Sequence, residues 1–156
     1  MKIKLNYFFI LLITIFTALS GSLLTSKGMG WYKTINLPEI APAGSFIGSV
    51  WTIIFILSAW SVIIFWNRRE GDKNAKIIIV LFIANALLNI FWCFLFFRIH
   101  LIGWSIIEMM ILNLVNLALI ILLWKKYFFS ALLLTPYFIW VSFATYLAYS
   151  IWKLNS

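Results

Sequence analysis

Long apolar runs separated by short polar or charged stretches dominate this chain. Charge-free windows fall at residues 5–24, 46–66, 77–97 and 131–152, and a further window at 102–124 is interrupted only by Glu108. Each holds 20–23 residues, which at about 1.5 Å per residue gives about 30–35 Å of helix, enough to cross a hydrocarbon core of about 30 Å. Inside lipid a backbone amide has no water to bond, so each window must satisfy its own hydrogen bonds as a helix. The pattern predicts an all-α fold over residues 1–156: a single polytopic membrane domain, a five-transmembrane-helix bundle with a long loop at 25–45. The first window, "MKIKLNYFFILLITIFTALSG", also has the basic start and small-residue end of a secretory signal. Its apolar run of about 20 residues exceeds the 7–15 of a signal core, which favours a retained helix.

Within the windows the aromatic and polar residues fall into stripes. Gly48, Trp51, Phe55 and Ser58 lie at i, i+3, i+7 and i+10, one face of the second helix. Asn85, Asn89 and Trp92 share a face of the third. Pro136, Trp140, Phe143, Ala144 and Leu147 share a face of the fifth, flanked by Ser142 and Thr145, and Pro136 is expected to bend that helix. Each stripe combines flat rings with small or polar residues, the lining a pocket for a large, flat, mostly apolar ligand wants. The same residues also suit helix packing: Asn, Ser and Thr bond between helices, and the G-x-x-x-G of Gly44 and Gly48 lets helices approach. Trp31, Trp66, Trp124 and Trp152 sit at window ends or in the long loop, where indoles anchor at headgroups. Trp51, Trp92 and Trp140 lie deeper. Glu108 reads either as a proton or ligand contact or, more simply, as a group near its helix end that reaches the headgroups or a partner helix; an acid inside the membrane otherwise costs a few kcal/mol.

Composition sharpens this picture. The chain is 65% hydrophobic and 10% charged, with a mean hydropathy of +1.06, against about 45–50% and 25% in soluble domains. Its 12 Lys and Arg give a net charge of +8 but cluster between apolar runs, which fits lipid headgroups and membrane lipids as partners rather than nucleic acid. Lys2, Lys4, Arg68, Arg69, Lys73, Lys76, Lys125 and Lys126 put eight cations on one side; Lys27, Lys33, Arg98 and Lys153 put four on the other. The positive-inside rule then predicts a cytoplasmic N-terminus and an outside C-terminus, with a bacterial plasma membrane as the expected setting. Cys93 and His100 are each alone of their kind, so no internal disulfide, no multi-His centre and no metal site is expected.

The segments "WYKTINLPEIAPAGSFIGSVW", "LNIFWCFLFF", "IGWSIIEMM" and "PYFIWVSFATYLAYSIW" resemble the tryptophan-rich sensory protein or translocator protein (TspO/MBR) family, also called the peripheral-type benzodiazepine receptor family. The resemblance covers nearly all of the chain from Trp31 onward. It implies a five-helix bundle, often a homodimer, whose pocket opens toward the first loop. It implies binding of porphyrins such as protoporphyrin IX and haem as ligands, with no cofactor required, and of isoquinoline carboxamide drugs; animal members bind cholesterol. Some bacterial members degrade protoporphyrin in light through two pocket tryptophans, which match Trp51 and Trp140, catalytic only if porphyrin is degraded. Asn89, Trp92, Phe143, Ala144 and Leu147 match other pocket-lining positions, and Trp31 and Tyr32 match the loop that lids the pocket. Gly48, Phe55 and Pro42 complete the expected ligand contacts. Glu108 stands where the family usually has Asp.

Departures lie mainly in the loop. Leu37, Ile40 and Ala43 replace the usual Lys, Trp and second Pro, leaving Pro38 and Pro42, so a looser lid is expected. Ala148 stands where animal members often have Asn. "LAYSIWK" (Leu147, Tyr149, Lys153) satisfies a loose sterol-contact pattern. Three functions compete: binding and sensing of a tetrapyrrole stacked on Trp51 and Trp140; light- and oxygen-dependent degradation of that ligand; and small-molecule or lipid transport, against which stands the lack of inverted repeats or paired broken helices.

Overall fold

A computed structural model describes residues 5–156; Lys2 and Lys4, part of the charge asymmetry, lie outside the described residues. Five α-helices follow one another: α1 (Leu5–Tyr32), α2 (Gly44–Arg68), α3 (Ala75–Cys93), α4 (Ile102–Trp124) and α5 (Phe128–Asn155). A five-residue π-helical turn, Phe94–Arg98, continues α3. No strand occurs among the described residues, and all five helices are long and apolar enough to span a bilayer. α1 packs on α2 and α3, α2 on α5, α5 on α4, and α4 on α3. The helices thus close a ring in the order 1-2-5-4-3. The α4–α5 contact is the most extensive, whereas α1 buries only Ile10, Thr17, Gly21 and Gly28.

The windows at α2, α4 and α5 lie within three residues of the observed helices, and the overrun has a simple cause. Hydropathy marks the thickness of the apolar core, while a helix ends where its backbone finds another partner. The largest correction is at α1, which runs on to Tyr32, so the connection to α2 is 33–43 rather than 25–45. Both the amide and the hydroxyl of Thr34 donate to the Trp31 carbonyl, at 2.8 and 2.7 Å, and close the last turn. Glycine at position 28 lets this extension dock: a Cβ there would meet the carbonyl oxygen of Phe97 and lie 2.6 Å from its Cβ. The loop is itself pinned, since the Asn36 amide donates to Asn155 Oδ1 and Asn155 Nδ2 donates to the Asn36 carbonyl, each at 2.9 Å.

Polar side chains tie the ring together. The Ser61 and Ser130 hydroxyls each donate to the other's carbonyl, at 2.8 and 2.7 Å, joining α2 to α5. Asn85 Nδ2 donates to Asn116 Oδ1 at 2.7 Å between α3 and α4, and Asn113 Nδ2 to Ser142 Oγ at 2.7 Å between α4 and α5. Hydrogen bonds between membrane helices average about 0.6 kcal/mol and reach about 1.7. Ser61→Ala is therefore expected to lower stability by about 1 kcal/mol in detergent unfolding, and an unchanged unfolding curve would show the pair to be idle.

At the end opposite the 33–43 loop, Gly71 (φ 73°) turns the chain between α2 and α3. Asp72 there accepts the Tyr127 hydroxyl at 2.6 Å and the Asn74 amide at 2.9 Å, with Lys126 Nζ 3.4 Å away. The phenol, then the amide, hold the Asp72 carboxyl below its usual range. Burial, then Asp72 itself, pushes Tyr127 up to about 12. A depressed acid contributes stability that is present above its unfolded pKa, about 3.9, and is lost as pH falls below it. A raised phenol loses its contribution as pH climbs from about 10 toward its folded value. Tyr127→Phe is expected to reduce both the acid and the alkaline loss in melting temperature followed from pH 3 to 11. Parallel pH profiles for the two proteins would contradict this coupling.

Candidate functional site

A chamber of about 830 Å³ is bounded by α1, α2, α3 with its π turn, and α5, and it is open where exposed Leu19, Ser22, Ser49 and Thr52 line it. Its aromatic wall is built from three sequence stripes meeting. Trp51 of α2 lies parallel to Trp92 of α3, with centroids 6.4 Å apart and planes 28° from parallel, and Phe55 lies 5.8 Å from Trp51. Trp92 in turn stacks on Phe96 at 5.6 Å, so the indole has two near-parallel aromatic neighbours. Across from these, Trp140 and Phe143 of α5 lie 5.5 Å apart, and Ala144 and Leu147 extend their face. Gly48 leaves room, because a Cβ there would meet no atom within 4 Å among the described residues. The Gly44–Gly48 pair therefore does not seat a neighbouring helix within this chain; both glycines line the chamber.

Polar capacity is sparse and specific. Asn89 is buried and its Nδ2 donates to the Tyr137 hydroxyl at 2.8 Å, which leaves its Oδ1 and the second amide hydrogen for any further contact. The indole N–H groups of Trp92 and Trp140 are buried with no acceptor among the described residues. Buried indoles normally find a partner, and both of these belong to the chamber lining. Neither N–H opens into the chamber, since both nitrogens are buried, so the indoles offer it their apolar faces.

Of the sequence-derived contacts, Tyr32, Gly48, Trp51, Phe55, Asn89 and Trp92 line this chamber. So do Trp140, Phe143, Ala144 and Leu147. Trp31 and Pro42 do not. Trp31 and Tyr32 also sit on the last turn of α1 rather than in a loop. Trp31 faces away, stacked on His100 at 4.1 Å and edge-on to Phe96 at 5.6 Å. α5 runs unbroken through Pro136, which is exposed and lines neither this chamber nor the second one described below. Glu108 does not reach the headgroups. It is 4% exposed on the inner face of α4, neither oxygen has a partner among the described residues, and it lines neither of the two chambers. The sterol pattern also dissolves in three dimensions, because Leu147 is buried toward the chamber while Tyr149 and Lys153 face outward.

Two features escaped the sequence. Before Tyr32 the α1 wall is made mainly of Ala18, Gly21, Ser22, Thr25 and Met29, a mostly small-residue stripe at helical spacing with no aromatic among them. Tyr137 packs edge-on to Trp51 at 5.9 Å and fixes Asn89; it stands at i−3 from Trp140, on the same helical face, so spacing could have found it. No group of three potential metal ligands occurs among the described residues.

A family model described as the TspO/MBR family matches residues 9–153. Tryptophan-rich protein TspO of Bacillus cereus is 33% identical over 125 residues, covering 80% of each chain. Translocator protein of Homo sapiens is 25% identical over 130 residues, 83% of this chain and 77% of that one. Protein CrtK of Rhodobacter capsulatus is 26% identical over 125 residues, 80% of this chain and 78% of that one.

Proposed function

This membrane chain belongs to the TspO/MBR family, and from that premise we propose that it is a sensory or regulatory protein that binds a tetrapyrrole, protoporphyrin IX or haem, in the aromatic chamber. The observation that carries the reading is the convergence of Trp51, Trp92 and Trp140 on one 830 Å³ space. That size lies within the roughly 300–1,000 Å³ of small-molecule sites, which pair mostly apolar walls with a few placed polar groups. The macrocycle would stack on Trp51 and Trp140, with its carboxylates toward the Tyr32 end, where Lys27 and Lys33 are exposed. The basic turns at 69–74 and 125–127 would face the cytoplasm, since Arg68, Arg69, Lys73, Lys76, Lys125 and Lys126 gather at that end.

Stacking a flat ring on an aromatic side chain contributes about 1–3 kcal/mol by alanine substitution. Trp51→Ala and Trp140→Ala are each expected to weaken protoporphyrin binding by about 5- to 150-fold, measured by the porphyrin absorption shift in the dark. Unchanged affinity in both would place the ligand elsewhere. Because both indoles line one chamber, a second reading has an excited porphyrin exchange an electron with them and be oxidised by oxygen. Illuminating the same samples tests it: loss of porphyrin absorption that needs oxygen and both indoles supports it, and equal loss in Trp51→Phe and Trp140→Phe reduces it to photobleaching.

A further inference from the structure

A second chamber of about 540 Å³ lies between α1, α2 and α3 at the end away from the 33–43 loop. Phe55 lines both chambers. Tyr137 lines only this one, while its partners Asn89 and Trp51 line only the first, so the three form a partition. Along α1 the lining runs from Leu5 to Thr17, about 18 Å at 1.5 Å per residue. That is roughly the depth of one leaflet of a hydrocarbon core about 30 Å thick.

The walls are apolar, and most of their polar groups are already engaged. The Thr14 and Thr17 hydroxyls donate to the carbonyls of Ile10 and Ile13, each at 2.9 Å, and Asn85 Nδ2 is held by Asn116. A polar ligand would lose hydrogen bonds with water and regain few here, whereas a hydrocarbon chain loses none. Phe9, Ile13 and Ile83 line the chamber while 51%, 55% and 54% exposed, so it opens sideways to lipid. At its surface end sits Trp66, with the Arg69 guanidinium 3.5 Å above the ring and Nη1 donating to the Trp66 carbonyl at 2.8 Å. Arg69 has no carboxylate partner among the described residues. Of the nearby acids, Asp72 is engaged by Lys126 and Tyr127.

We propose that this chamber is a lipid site that takes one acyl chain of an anionic glycerophospholipid, with the lipid phosphate on Arg69. A guanidinium held flat on an indole keeps its outer donors for two parallel bonds to phosphate oxygens. The site is independent of the tetrapyrrole reading.

The test uses the full chain in detergent, offered phosphatidylglycerol or phosphatidylcholine with identical acyl chains, and counts retained lipid by native mass spectrometry. Wild type is expected to retain one phosphatidylglycerol with about fivefold preference, the effect of about one juxtamembrane cation. Arg69→Gln is expected to bring the two lipids to near parity. Ala86→Phe and, from the facing wall, Val62→Phe are expected to abolish retention of both while unfolding at nearly the wild-type temperature. Equal retention of both lipids by wild type, or retention that survives whichever chamber-filling variant remains folded, would overturn the proposal.

Discussion

Gly28→Ala is expected to destabilise this protein by about 3 kcal/mol, although it adds a single methyl group. The new Cβ would fall against the carbonyl oxygen, carbonyl carbon and Cβ of Phe97, all within 2.8 Å. These are backbone or backbone-adjacent atoms of the π turn, which cannot swing aside as the tip of a flexible side chain would. Overpacking a tight contact costs about 1–3 kcal/mol and occasionally more, and the upper end applies where backbone meets backbone. α1 has few other buried contacts to hold it. Gly30→Ala is the matched control, since a Cβ there meets nothing within 4 Å and alanine favours a helix over glycine by about 0.5–1 kcal/mol. Detergent unfolding should show Gly28→Ala far below wild type and Gly30→Ala at or above it. Coincident curves for the two variants would mean that α1 does not dock on the π turn.

The second large effect is on binding rather than stability. Gly48→Phe is expected to fold normally and lose at least about 30-fold in protoporphyrin affinity. Its Cβ has free space around it, and the added ring must occupy the chamber beside Trp51, one turn away on the same face. Displacing a ligand from two stacking indoles forfeits about 2–6 kcal/mol at about 1–3 each, and 2 kcal/mol is already about 30-fold. A matched melting temperature separates this from misfolding. Wild-type affinity in Gly48→Phe would show that the ligand does not use this chamber.

Much of the architecture was legible because lipid imposes one rule on every backbone group, and charge-free windows of one membrane thickness obey it. What hydropathy could not reveal were the features set by packing. "TSKGMGWY" is polar and glycine-rich, yet it stays helical because Gly28 brings it onto Phe97. Trp31 and Tyr32, expected in a loop, therefore ride on a helix. The site was readable where a stripe carried aromatics, as on α2, α3 and α5. On α1 only Tyr32 was readable, because the wall between Ala18 and Met29 is mostly small residues that look like ordinary packing. For Glu108, headgroups and a partner helix both stayed open, because distance along the helix gives depth in the membrane but not the direction a side chain faces; α4 turns it inward beside Ser105 and Met109.

The most direct test of the account is a dark titration of the purified protein with protoporphyrin IX, following tryptophan fluorescence, with Gly48→Phe in parallel. Saturable quenching at micromolar porphyrin with one ligand per chain, shifted to far higher concentration in Gly48→Phe, is the expected result. Quenching that rises linearly and identically in both proteins would mean that the porphyrin only partitions into detergent. The aromatic stripes would then be helix-packing surfaces and not a binding site.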